Sequence, residues 1–255
     1  MRSNCHTVLG ANIDALTWDE ALDQIVTWGQ ARESRYVCIC NVHSVVTTTR
    51  DAGYRKIVNE ADMCTPDGAP IAWAMRRFGL RSQERINGPD LMWQYLARAE
   101  ELGQRVFFYG STEQTLARLR DAIGRQFPRL QIAGMHSPPF RALSTEEDQA
   151  EVEMINRSGA QVVFVGLGCP KQEKWMAAHR GRVQAVMIGV GAAFDYHSGV
   201  VRRAPLWWQR NGLEWLYRLI SDPQRLMKRY MVTNTLFVIG FSRQLIAWKL
   251  MNRRQ

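Results

Sequence analysis

The sequence predicts an α/β protein: a mostly parallel sheet flanked by helices, followed by a basic helical C-terminal appendage. Three times a short apolar run ends in glycine and passes into a helical pattern. Residues 105–109 lead to Gly110-Ser111-Thr112, residues 161–165 to Gly166-Leu167-Gly168, and residues 184–188 to Gly189-Val190-Gly191. Strands that alternate with helices at this spacing form parallel, Rossmann-like sheets, because each parallel pair needs a long crossover that a helix supplies. The appendage is read from charge. Residues 1–200 hold 22 Lys+Arg against 22 Asp+Glu, whereas residues 201–255 hold 11 against 2, so the whole net charge of +9 lies in the last fifth of the chain. Four of nine tryptophans, Trp207, Trp208, Trp215 and Trp248, lie there too. The chain therefore divides into an α/β core over residues 1–200 and a basic, aromatic-rich appendage over residues 201–255.

Taken in order, the elements follow from local chemistry. A short strand is expected near residues 7–9. Thr17 and Glu20 have capping-box spacing, and Leu22, Ile25 and Val26 share the face of the helix they open. Residues 36–40 read as a buried strand that ends at Asn41 and passes into a helix carrying Val45, Val46, Ile57 and Val58. Thr65-Pro66-Asp67-Gly68 is a turn signal before a helix over residues 69–78. Beyond residue 200, Arg202-Arg203-Ala204-Pro205-Leu206-Trp207-Trp208 is a basic-aromatic hinge. Residues 212–220 read as a helix, and Asp222-Pro223 starts another. Phe237, Phe241, Leu245 and Trp248 fall on one face of this last helix, the pattern of an interfacial helix lying in a membrane headgroup region; the alternative is a subunit-contact or core-docking helix.

Several functions are excluded. Five scattered cysteines without a CxxC pair make neither a disulfide framework nor a zinc site. GxGxxG fails at both glycine pairs, and neither a Walker A loop nor a GxSxG elbow occurs. No Asp-x-Asp is present, so no carboxylate pair for a metal-bound diphosphate is visible. No secretory signal opens the sequence, and no apolar run approaches the roughly 20 residues that span a bilayer. The protein is therefore expected to stay cytoplasmic, either free or peripheral on the inner face of the plasma membrane.

The ligand site of a parallel sheet lies beyond the carboxyl ends of its strands, where Gly110, Gly168 and Gly191 fall. Asp67 stands at such an end, although Pro-Asp-Gly is also an ordinary turn with the aspartate as helix cap. In Glu84-Arg85-Ile86-Asn87-Gly88-Pro89-Asp90, Asp90 has the position of a cap for the next helix. Lys171 and Gln172, after Pro170, make an anion and sugar-hydroxyl clamp at a helix start. Asp195 follows Gly191. A metal-free diphosphate would need arginines and helix N-termini, and the appendage supplies the arginines.

Taken together, a series of motifs resembles one family. They are Asn41, Pro66-Asp67-Gly68, Glu84-Arg85 with Gly88 and Asp90, Val165-Gly166-Leu167-Gly168 with Pro170-Lys171-Gln172-Glu173, and Gly189-Val190-Gly191 with Phe194-Asp195. In the appendage they are Arg203-Ala204-Pro205, Gly212-Leu213-Glu214-Trp215 with Tyr217-Arg218-Leu219, and Pro223 with Arg225 and Arg229-Tyr230. In order and spacing, from about residue 8 to 230, they resemble the WecG/TagA/CpsF glycosyltransferases (family 26). The resemblance implies an inverting hexosyltransferase without metal or other cofactor. Such an enzyme moves a sugar from a UDP donor to a polyprenyl-diphosphate-linked saccharide at an anionic membrane surface, in synthesis of exopolysaccharide or other cell-surface polymers. By the same resemblance Asp67 is the general base, Asn41 and Gln172 are polar pocket positions, and Arg85 and Asp195 line the site. Arg218, Arg225 and Arg229, with Arg203, neutralise the diphosphate at the membrane.

Two positions depart from the family pattern, Ile39 where threonine is common and His43 where an acidic or amide residue is common. Both touch the sugar pocket, and they leave the donor open between an N-acetylmannosamine type and a glucose or uronate type. The reading from a different class is a nucleotide-binding α/β module whose basic tail grips nucleic acid. The resemblance includes no nucleic-acid partner and leaves homo-oligomerisation open.

Overall fold

The computed structural model describes residues 4–252; the side chains of Arg225 and Asn252 also lie outside the described residues. Leu9 and Gly10 join β1 (Cys5–Val8) to β2 (Ala11–Asp14) in an antiparallel hairpin. The chain continues through α1 (Trp18–Gln30), β3 (Arg35–Cys40), α2 (Val42–Arg50), α3 (Ala52–Glu60), β4 (Met63–Pro66), α4 (Ala69–Arg77) and α5 (Gly88–Leu102). Next come β5 (Arg105–Gly110), α6 (Glu113–Gln126), β6 (Gln131–His136), α7 (Thr145–Arg157), β7 (Val162–Gly166), α8 (Lys171–His179), β8 (Val186–Gly189) and α9 (Ala193–His197). The C-terminal part is helical: α10 (Leu206–Arg210), α11 (Glu214–Ser221) and α12 (Pro223–Asn252).

Strands β3 to β8 form one sheet in the order β4-β3-β8-β7-β5-β6, with every neighbouring pair parallel. Side-chain alternation sorts the strand residues onto two faces. Tyr36, Cys38, Cys40, Tyr109, Val163, Val165 and Met187 join one core with Val45, Tyr54, Ile71, Met176, Phe237 and Phe241. Val37, Ile39, Val106, Phe108, Val162, Phe164 and Ile188 join the other with Ile25, Leu91, Leu96 and Leu119. The result is the expected α/β fold, with helices on both faces of a parallel sheet.

The carboxyl ends of the strands are level in register, Cys40 beside Pro66, Gly110 beside Gly166 and Val165 beside Gly189. Gly110 is needed for packing, since a Cβ there would stand 2.7 Å from the carbonyl carbon of Gly166.

Three local expectations differ from the structure. The single helix expected across residues 45–58 is two helices, broken at Asp51. Its carboxylate accepts from the Tyr54 amide at 2.8 Å, which caps α3. Thr65 and Pro66, read as the start of a turn over residues 65–68, instead end strand β4, which pairs with β3. Asp90 does not cap α5, because Asn87 Oδ1 accepts from the Asp90 amide at 3.0 Å and takes that role.

The largest difference is in α12. The face carrying Phe237 and Phe241 is buried in the core cluster, with Leu245 and Trp248 packed against it. Phe241 lies 5.3 Å from Trp73 and 5.5 Å from Phe78, ring centre to ring centre. Gln244 clamps the β1–β2 turn: its Oε1 accepts from the Leu9 amide at 3.0 Å and its Nε2 donates to the Thr7 carbonyl at 2.6 Å. Leu9 has φ +49°, a conformation costly for leucine, and α12 holds it there. The aromatic face assigned to the headgroup region is thus spent on the core, because Trp73, Phe78 and Leu9 would otherwise lie open to water. The opposite side of α12 exposes Val232, Ile239, Ile246 and Leu250. Among the described residues no helix is long and apolar enough to cross a membrane.

Candidate active site

Strand β4 ends at Pro66, and the chain turns at Gly68 (φ +84°), the residue that precedes α4. Asp67 is therefore not the helix cap; its carboxylate takes a hydrogen bond from the Gly68 amide and keeps its remaining acceptor positions for the cleft that it lines. The backbone around it is fixed on both sides. The Asp67 amide donates to the Cys40 carbonyl at 2.9 Å, and the Ile86 amide donates to the Pro66 carbonyl at 2.9 Å, which brings Arg85 to the same strand end. Asn41 caps α2, its Oδ1 accepting from the Ser44 amide at 3.1 Å. Loops after β7 and β8 add Gly168 and Gly191.

These strand ends form the floor of a cleft of about 970 Å³, roofed by α11 and the first half of α12. Asn41, Asp67, Arg85, Gly168, Gln172, Gly191, Asp195, Arg218 and Arg229 all line it. Three of the expected residues do not. Gly110 stays in the sheet and hands the cleft to Ser111 and Thr112. Lys171 is exposed and faces an adjoining cavity of about 770 Å³ with Tyr109, Phe140 and Trp175. Arg203 is held in a bidentate pair with Asp90, its Nη2 at 2.8 Å from Oδ2, and so ties the appendage to α5. The side chain of Arg225 lies outside the described residues.

The electrostatics are those of a partly desolvated site. Burial pushes Asp67 above the ordinary carboxylate range. Arg85 and Arg218 pull it down and Glu214 pushes it up. Glu214 is itself shared, lying 2.9 Å from Arg85 Nη2 and 3.9 Å from Arg203 Nε, so α11 is bound to the core by charge. The Arg218 guanidinium sits 5.4 Å from the centre of the Tyr196 ring. Burial, with Arg229 beside it, lowers the pKa of His43, which keeps the imidazole neutral at pH 7.

Among the described residues, six buried side-chain polar atoms lack a hydrogen-bond partner. Four of them, His43 Nδ1, Glu173 Oε2, Tyr196 Oη and Arg229 Nε, belong to residues that line this cleft. Buried polar groups are nearly always paired, so their concentration around one cleft marks the surface of a polar ligand site. No group of three or more His, Cys, Asp or Glu side chains among the described residues is arranged to hold a metal ion.

Sequence reasoning gave no role to Glu173, Tyr196 and Glu214. Glu173 and Glu214 stand inside the motifs quoted above, but only the fold shows that one is buried beneath the cleft and the other bridges two arginines. The family model for the WecG/TagA/CpsF glycosyl transferases matches residues 6–251.

Proposed function

The chain belongs to the WecG/TagA/CpsF family, the glycosyltransferases of cell-surface polysaccharide synthesis, and we propose that it is an inverting, UDP-sugar-dependent hexosyltransferase acting on a polyprenyl-diphosphate-linked saccharide. The observation that carries this reading is the convergence of Asp67 with Arg85, Arg218 and Arg229 on one cleft between sheet and appendage. The acceptor hydroxyl attacks the anomeric carbon from the face opposite UDP. As the new C–O bond forms, the bond to UDP breaks, and Asp67 takes the hydroxyl proton. The diphosphate leaves with the bonding electrons, and its charge is met by the guanidinium groups of Arg218 and Arg229. Arg85 fixes the orientation of α11 through Glu214 and moderates Asp67. Asn41 and Gln172 border the sugar, and Arg225 joins the arginines at the membrane side.

The arginines of the appendage favour this reading over a nucleic-acid tail. Arg218 and Arg229 turn into the cleft, and Arg203 is paired with Asp90, so these charges are not displayed as an outward basic stripe. Residues 201–255 act as the membrane-associating part, through the outer side of α12 and the exposed Leu206 and Trp207. Replacing both Ile239 and Ile246 by Asp is expected to weaken co-sedimentation with anionic vesicles roughly tenfold or more, with the fold unchanged. Undiminished co-sedimentation would remove α12 from the membrane contact.

The reaction course is tested by NMR of the product's anomeric proton in an assay run with EDTA. An inverted anomeric configuration and an unchanged rate are expected. Retention would remove the single-displacement mechanism, and a loss restored by metal would remove the metal-free one.

A further inference from the structure

Glu173 is 1% exposed, yet it lines the cleft from the first turn of α8. Its Oε1 accepts from Gln172 Nε2 at 2.9 Å, and Gln172 Oε1 accepts from the Gly191 amide at 3.0 Å. Among the described residues its Oε2 has no hydrogen-bond partner of good geometry; the Cys169 thiol is the one side chain besides Gln172 that interacts with the carboxyl as a hydrogen-bonding group. The groups packed around it come from three other elements and carry no positive charge: Cys40 from β3, Tyr54 from α3, and Cys169 from the loop before α8. Burial pushes the Cys169 thiol up to about 12 and raises Tyr54, and the hydrogen bond with Cys64, together with burial, raises Cys40, so all three are neutral. Among the described residues Glu173 forms no ion pair. Burial disfavours an ionised carboxylate here and raises its pKa, and this outweighs the hydrogen bonds from Gln172, its own amide and Cys169, which act the other way. In the neutral acid, Oε1 is the carbonyl oxygen that receives the Gln172 amide, and Oε2 carries a proton that needs an acceptor.

Resting on the transferase reading above, we propose that Glu173 is a sugar-binding residue that works as a neutral acid, donating its Oε2–H to a hydroxyl or amide carbonyl oxygen of the nucleotide-linked sugar. A neutral donor suits a neutral oxygen, whereas the diphosphate is served by the arginines of α11 and α12 on the facing wall. Burying an acid so that it can donate at neutral pH is a known use of a low-dielectric site.

The test compares binding of UDP with that of UDP-N-acetylmannosamine, UDP-N-acetylglucosamine, UDP-glucose and UDP-glucuronate by calorimetry, in wild type, Glu173→Gln and Glu173→Ala. Glu173→Ala is expected to lose roughly tenfold in affinity for the preferred UDP-sugar, and Glu173→Gln, which keeps a donor, to stay within about threefold. UDP alone binds all three proteins alike. In wild type the advantage of the UDP-sugar over UDP falls as pH rises through the Glu173 pKa, and in Glu173→Gln it does not. The infrared difference spectrum of wild type minus Glu173→Gln carries the C=O stretch of a protonated carboxyl group. Equal weakening of UDP and UDP-sugar would reduce Glu173 to a prop for Gln172, and absence of the protonated-carboxyl band would show an ionised group; either overturns the proposal. Failure of the transferase reading looks different: wild type then binds neither UDP nor any UDP-sugar, and the ligand assigned to Glu173 falls with it even when the infrared band is present.

Discussion

Asp67→Asn lowers kcat for sugar transfer by roughly 10²–10⁴-fold, the usual contribution of a positioned general base. The substitution is close to isosteric, so the loss should be one of chemistry. Asp67 sits in a desolvated place where burial disfavours its charge, so a neutral amide does not weaken the fold, and urea unfolding should give a stability equal to or above that of wild type. Donor affinity is expected to change little, because the arginines and strand-end amides proposed to hold UDP remain. The pH dependence gives a second check. A base must be ionised, so kcat/KM rises with pH through the Asp67 pKa. Because that pKa is raised, the acid limb lies above the ordinary carboxylate range. In the Asn variant this limb disappears from the residual activity. Near-wild-type turnover in Asp67→Asn would remove Asp67 as the base.

Phe241→Ala is expected to cost about 3–5 kcal/mol of stability, the range for deleting a buried aromatic side chain. Phe241 is 4% exposed, stacks on Phe237 and meets Phe78 edge to face and Trp73 at a tilt. A helix that merely rested on the surface or waited for a membrane would lose almost nothing. Ile246→Ala, on the opposite side of the same helix at 59% exposure, should stay within about 0.5 kcal/mol. Equal effects of the two substitutions in urea unfolding would contradict the docked arrangement of α12. For the same reason, removing residues 231–252 uncovers Trp73, Phe78 and the Leu9 turn, so a truncation would confound membrane binding with loss of the core.

What could be read in advance follows from how local each signal is. Apolar runs closed by glycine marked β5, β7 and β8 because a strand buried on both faces needs no information beyond its own residues. The hairpin strand β2 and strand β4 are four residues each, too short for alternation to register, and Pro66 disguised the end of β4 as a turn. Edge strand β6 is half-exposed throughout, with Gly134 inside it, and has no strong apolar pattern. In the cleft, strand-end residues such as Asn41, Asp67 and Gly191 were legible because topology alone brings them together. Arg203 and Lys171 were not, since a charged side chain can turn either way from its backbone. Arg203 was drawn to Asp90, and Lys171 to the adjoining cavity. The amphipathic face of α12 was seen correctly, but a periodic apolar face does not say whether its partner is lipid or protein. Glu173 shows the converse: a carboxylate in a polar motif reads as exposed until the helix that carries it is packed against Tyr54 and Cys169.

UDP release across a panel of UDP-sugars, with a polyprenyl-diphosphate-linked saccharide in anionic vesicles, tests the central claim most directly. Release that depends on the acceptor, prefers one donor and falls by roughly 10²–10⁴-fold in Asp67→Asn is the expected result. Folded, vesicle-bound protein that releases no UDP with any donor, or releases it equally without acceptor, would contradict the assignment of this cleft as the site of sugar transfer to a lipid-linked acceptor.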